Sequence, residues 1–264
     1  SQYAFNATFF SQDAVVKYQG YSRASIRLNS STKTLGGKLE VGENFTLSLD
    51  NRKGGYGNDG EQNAVSGSYK HHPLLPNYDI AGNFAGSRGL NLGNNYNPYA
   101  SQYRNQDDRN RRSRMFGNVY AQLTIAEDFK LKSSFGADIN SSRVIDIGRP
   151  QPEYVEGNFI NSSRSAHSWG YEWVWTNTLS WAKTINDIHE ISAYAGVEAI
   201  EGFQEYFGAG RQRFPFETTP IISYLDLGNQ GTSNNYGNIE KDFSLWSQFA
   251  QANYQYDEKY LAQV

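Results

Sequence analysis

Between residues 169 and 181 the chain sets a large apolar side chain at nearly every second position: Trp169, Tyr171, Trp173, Trp175, Leu179 and Trp181. Gly170, Glu172, Val174, Thr176, Thr178 and Ser180 stand between them. Successive side chains of a strand point to opposite faces, whereas a helix would scatter these rings around its circumference. The stretch is therefore read as a strand with one bulky face and one small, polar face. Asn177 departs from the pattern and suggests a bulge or a local register shift.

The alternation recurs in about eight segments. One apolar face is formed by Ala24, Ile26 and Leu28, and another by Leu39, Val41, Phe45, Leu47 and Leu49, with a slip at Glu43 to Asn44 that reads as a bulge. Met115, Val119, Leu123 and Ile125 continue the series, as do Phe129, Leu131, Phe135 and Ile139, then Ile191, Ala193, Ala195 and Val197. In 245 to 256 two faces compete: Leu245 and Phe249 against Trp246, Ala250, Tyr254 and Tyr256. Short turns are expected near 30–36, 126–128, 183–188 and 257–259, and long connections over 51–113, 143–167 and 202–243, with 11–20 a shorter one. Long loops thus gather at one end, the asymmetry of an outer-membrane barrel.

Composition narrows the class. Apolar residues make up 38% of the chain and aromatics 15%, so a soluble core would be poor in aliphatic material. There is no Cys, which excludes disulfides and thiolate metal sites, and a net charge of -3 gives no reason to expect a nucleic-acid partner. No apolar run reaches the length of a membrane helix. A strand of about 13 residues is about 40 Å long, and a tilt near 45° projects it to about 30 Å, one hydrocarbon thickness. Trp169, Tyr171, Trp173, Trp175 and Trp181 are accordingly expected to face lipid, and Glu172, Thr176 and Thr178 a wet lumen. Both termini read as strands, so the sequence is expected to be an internal piece of a longer protein. The expected fold is all-β: an antiparallel transmembrane β-barrel segment, residues 1–264 belonging to one barrel domain. A passive porin or adhesin barrel and a soluble carbohydrate-binding β-sandwich are the alternatives.

Residues 73 to 140 carry "DIAGNFAG", the following "NP", "RNQDDRN" and "FGNVYAQL", in an order and spacing that resembles the SusC/RagA-type TonB-dependent outer-membrane transporters of Bacteroidetes. "WTNTLSWAKTINDIHEISAYAGVEA" and "SLWSQFAQANYQYDEKYLAQV" resemble barrel hairpins of the same family. The resemblance implies a barrel of about 22 strands with a plug. It further implies energy from TonB through that plug and import of glycan fragments or peptides beneath a SusD-like surface lipoprotein. The plug and the remaining strands are expected to lie outside this sequence.

Within the 51–113 loop, Tyr56, Tyr69, Tyr78, Asn94, Asn95 and Tyr96 are the candidate substrate-binding residues, because phenol faces stack on sugars or peptide side chains while amides donate and accept. The run from Arg104 to Arg114 reads as a local ion-pair network at the rim, with the grip of an anionic substrate as the alternative. No cofactor is expected; "GYGNDGEQN" has a calcium-loop flavour without the spaced acids of an EF-hand. His71 and His72 lack further ligands at metal-binding spacing. Glu172, Glu190 and Glu198 are the residues a glycosidase reading would use, but with no nucleophile motif or phosphate loop, no enzyme is expected.

Overall fold

The computed structural model describes residues 1–55, 64–89, 92–94 and 96–264. Among them runs one antiparallel sheet of nine strands in sequence order. The strands are β1 (Gln2–Asp13), β2 (Gly20–Thr34), β3 (Leu39–Lys53), β4 (Arg109–Ala126), β5 (Phe129–Gly148), β6 (Ser162–Ile185), β7 (His189–Gln212), β8 (Asn229–Tyr256) and β9 (Tyr260–Gln263). Two short helices, α1 (Ala64–Lys70) and α2 (Pro98–Arg104), belong to the β3–β4 connection.

The turns explain the meander. Asn186 and Asp187 have φ of 52° and 56°, and Asp257 and Glu258 have 48° and 52°. Two consecutive residues with positive φ give the type I′ twist that suits a two-residue hairpin. At the opposite end the connections span 14–19, 54–108, 149–161 and 213–228. They are shorter than the sequence suggests because β6, β7 and β8 run on for 24, 24 and 28 residues. A strand of such length is about 80 Å long and, tilted, about twice the thickness of a bilayer's hydrocarbon. Beyond the apolar stretch the side chains no longer alternate, but the backbone ladder continues.

Register fixes the faces. One row crosses the sheet through Ala7, Ile26, Leu47, Met115, Ile139 and Tyr171. Trp169, Tyr171, Trp173, Trp175 and Trp181 stand on that apolar face, and Glu172, Thr176 and Thr178 on the other. Neither expected bulge is present. β3 pairs with both neighbours without a shift, so Glu43 sits on the apolar face, where Ser30 Oγ donates to it at 3.1 Å. Asn177 likewise keeps its register on the apolar face, opposite Ser133 on β5 and Val197 on β7. Each exception is a polar side chain in an unbroken ladder.

The ambiguous face of β8 is settled by its partner. Trp246 and Ala250 pair with Ala199 and Ala195 on the apolar face, leaving Leu245 and Phe249 on the polar one. Phe249 lies over Gly196, where an added Cβ would come within 2.5 Å of its ring, and Phe243 covers Gly202 in the same way. Glycine opposite a ring gives it a flat seat, so aromatics are accommodated on the polar face.

The sheet has no core of its own. Trp175 and Leu179 are 49% and 45% exposed, and among the described residues no second layer packs over them. The buried apolar side chains are Ala85, Ala100, Ile147, Tyr154, Phe214 and Ile222, all in or beside the long connections. The packed interior of this chain is a cap of loops at one end of a sheet exposed on both faces.

Candidate functional site

The cap is organised by the motifs that stand out in the sequence. Asn97 and Pro98 start α2: the Asn97 side chain accepts from the backbone N–H of Tyr99 and Ala100 at 3.0 and 3.1 Å. Its amide nitrogen donates to the carbonyls of Asn77 and Ala85 at 2.9 and 2.8 Å, tying the helix to the preceding turn. In that turn Asp79 accepts from the N–H of Asn83 and Ala81, and the Asn83 bond above all holds its carboxyl below the usual range. Gly86 lies against the Glu153 backbone, with no room for a Cβ. "DIAGNFAG" and "NP" are thus a turn and a helix cap that lock together.

The charged run reaches outward to other loops instead of pairing locally. Arg104 makes a two-pronged pair with Glu153, at 2.5 and 2.7 Å, and both side chains are 9% exposed. Arg149 pairs with Asp107 at 2.5 Å, Thr219 donates to the same carboxylate at 2.9 Å, and Arg149 also donates to the Arg104 carbonyl. Asn161 exchanges two hydrogen bonds with the Phe214 backbone, at 2.7 and 2.9 Å. These contacts join the β3–β4, β5–β6 and β7–β8 connections into one unit. The strand residues of the run differ: Arg114 pairs with Asp138 on β5, and Arg109 turns back to the carbonyls of Gln106 and Asp108, both at 2.8 Å.

Asp108 is the least comfortable member. Burial pushes its carboxyl up to about 7, opposed by the Ile147 N–H that donates to it at 2.8 Å. A folded-state pKa above the ordinary one means that its contribution to stability is complete below about pH 4 and is lost as pH rises through about 7. Asp108→Asn keeps an acceptor for Ile147 and has no charge to bury. Between about pH 4 and 7, hydrogen exchange in the cap of the full-length protein is expected to accelerate relative to Asp108→Asn, by up to a few kcal/mol of local opening. A constant ratio of the two rates across that window would rule out the titration of Asp108 as its cause.

Beside this unit lies an aromatic cluster. Tyr78 stacks on Phe84 at 5.4 Å between ring centroids, Phe84 meets Tyr103 at 5.4 Å, and Tyr18 meets Tyr99 through hydroxyls 3.1 Å apart. Hydrogen bonds from Tyr18 and Tyr78 lower the Tyr99 phenol, while Tyr18, bonded to Tyr99, is pushed up to about 12. Lys17 Nζ stands 5.3 Å from the centre of the Tyr99 ring. A hollow of about 620 Å³ opens here, lined by Val16, Lys17, Val65, Tyr69, Tyr99 and Gln102 among others. Ring faces, an ammonium and amides converge on it.

Of the predicted binding residues, Tyr69 lines the hollow and is largely exposed, and Tyr78 meets Tyr99 edge-on at 5.8 Å. Tyr96 packs elsewhere, edge-on to Tyr154, with burial pushing its phenol up to about 12. Asn94 is exposed and lines no part of the hollow. Tyr56 and Asn95 lie outside the described residues, as does nearly all of the calcium-like segment. Lys17, Tyr99 and Gln102, which line the hollow, and Tyr18 beside them are not among the predicted residues. The spacing of Tyr99 and Tyr103 in "NPYASQY" was the one available signal, placing both rings on one side of α2. His71 is used internally, its ring nitrogens facing the carbonyls of Tyr96 and Leu75 at 3.2 and 3.0 Å. On the sheet, Glu172 pairs with Lys241 at 2.5 Å and Glu198 accepts from Thr176 at 2.9 Å.

No protein-family model matches the chain, and a search of curated proteins finds no relative. Solved structures do resemble it. The RagAB peptide importer in its closed-closed state superposes with a TM-score of 0.75 and 22% identity, over 97% of this chain and 28% of the importer chain. The RagAB peptide transporter, and the importer in its open-open state, each give 0.74 at the same identity and coverage. The chain therefore spans 28% of the length of the chains it matches. At 22% identity the likeness shows the fold: this is an open, nine-stranded segment of a β-barrel wall with its long loops packed together at one end.

Proposed function

We propose that the chain is part of the barrel of a TonB-dependent importer in the bacterial outer membrane, taking up peptides or glycan fragments with a SusD-like surface lipoprotein. The observation that carries this reading is the superposition of 97% of the chain on the RagAB peptide importer. The two faces of the sheet support it. Uncovered apolar rows suit hydrocarbon, and charged rows on the reverse, such as Arg114 with Asp138 and Glu172 with Lys241, suit a hydrated lumen. The hollow around Tyr69, Tyr99 and Lys17 suits a ligand that offers both flat groups and polar edges. In this reading the chain performs no covalent chemistry and needs no cofactor. Energy comes from TonB acting through a plug that this segment does not include.

Uptake of fluorescent peptides and oligosaccharides by cells with and without the full-length gene tests the proposal. Deletion is expected to abolish uptake of one of the two classes, and a protonophore to abolish it equally in cells that keep the gene. Uptake that survives the protonophore would identify a passive pore, and uptake indifferent to deletion would reject import.

A further inference from the structure

The apolar face ends abruptly in a row of cations. On β3, β4 and β5 that face carries no Lys or Arg from Leu39 to Leu49, from Leu123 to Ser113, or from Leu131 to Ser141. One row further toward the cap, Asn51, Arg111, Arg143 and His167 stand side by side, and Lys53 and Arg109 pair in the row above. Arg111 and Arg143 are directly opposed and exposed, an arrangement that is destabilising unless an anion relieves it. Rows from Leu49 to Trp169 and from Lys53 to Ser165 contain no acid on β3 to β6, and neither arginine has an ion-pair partner among the described residues. His167 is held by Ser141 Oγ at 3.0 Å and by the Phe207 ring. The flanking acids are Glu205, beyond Trp169 on β7, and Asp13, beyond Gly20 on β1 in the row of Lys53.

The depth of this row decides what the anion is. From Trp181 to Trp169 a tilted strand climbs about 28 Å, which matches one hydrocarbon layer between two aromatic girdles. The arginine row lies about 5 Å higher, where lipid headgroups begin. We propose that Arg111 and Arg143, with Lys53 and Arg109 behind them, bind the phosphate of a lipid headgroup whose acyl chains lie on the apolar rows below. Paired guanidiniums suit phosphate oxygens, and the apolar floor distinguishes a lipid from a soluble anion. The inference rests on the membrane reading above.

The full-length protein, reconstituted in dioleoylphosphatidylcholine, provides the test, with brominated lipids quenching the indoles they touch. Brominated phosphatidylglycerol is expected to quench at lower mole fraction than brominated phosphatidylcholine, and Arg111→Gln with Arg143→Gln to reduce that preference by about fivefold per cation removed. The single variants carry the test if the double variant does not assemble. Arg27→Gln, which removes a cation from the polar face of β2, is expected to keep the preference. No quenching by either lipid would overturn the membrane reading and this inference together. Quenching by both, with the preference intact in the double variant, would overturn the headgroup site alone. So would a preference erased by excess inorganic phosphate, which would assign the arginines to a soluble anion.

Discussion

Trp173→Arg and Val119→Arg in the full-length protein each destabilise the assembled barrel by about 2 to 4 kcal/mol, the cost of a cation near the middle of a row that faces lipid in the proposed reading. Trp173 lies between Ala137 and Glu201, and Val119 between Phe135 and Glu43, within a face that carries no cation on β4 or β5 below the arginine row; each new arginine thus gains one carboxylate neighbour, which places the expected loss at the lower end of that range. Thr176→Arg, three residues along β6, is tolerated because it enters the opposite, polar face of the sheet. Urea titration of the protein folded into vesicles measures all three. Equal losses would show that the two faces meet the same medium, and a soluble sandwich would then explain the alternation better.

Arg104→Ala opens the cap, with an expected loss of about 3 to 5 kcal/mol in local stability, because Glu153 is left buried with a charge and no partner. Replacing both partners by apolar residues of similar volume, Arg104→Met with Glu153→Leu, restores most of the loss, since neither charge then needs solvation. Limited proteolysis of the full-length protein reads the difference. Cleavage in 149–161 should be fast in the single variant and slow in the wild type and the double variant. Equal cleavage of all three would mean that the pair does not hold the loops together.

The two-residue period shows the faces of β2 to β7 because one face of each strand is apolar and the other polar, so the difference is written into every second letter. It failed on β8, where both faces carry rings. Phe249 and Phe243 are seated by Gly196 and Gly202 on another strand, and no period within β8 reports on them. The expected bulges at Glu43 and Asn177 failed for a related reason. A polar residue breaks the pattern of side chains without breaking the ladder, because backbone hydrogen bonds hold register regardless of what a side chain faces. The same ladder carries β6 to β8 past the end of their alternation.

In the cap, local turn chemistry was legible and long-range pairing was not. Asn97 caps its helix and Asp79 closes its turn through backbone N–H groups two to four residues away, whereas Arg104 and Glu153 meet across 49 positions. The binding candidates divided in the same way: composition found the tyrosine-rich loop, but Tyr69 and Tyr78 became neighbours of Lys17 and Tyr99 only through folding. The sequence by itself determined that strands with one oily side would pair in order, because side-chain alternation is a local property of extended chain. The tertiary structure alone decided how far those strands extend, which loops pack together and which charges end without a partner, because each depends on contacts between residues far apart along the chain.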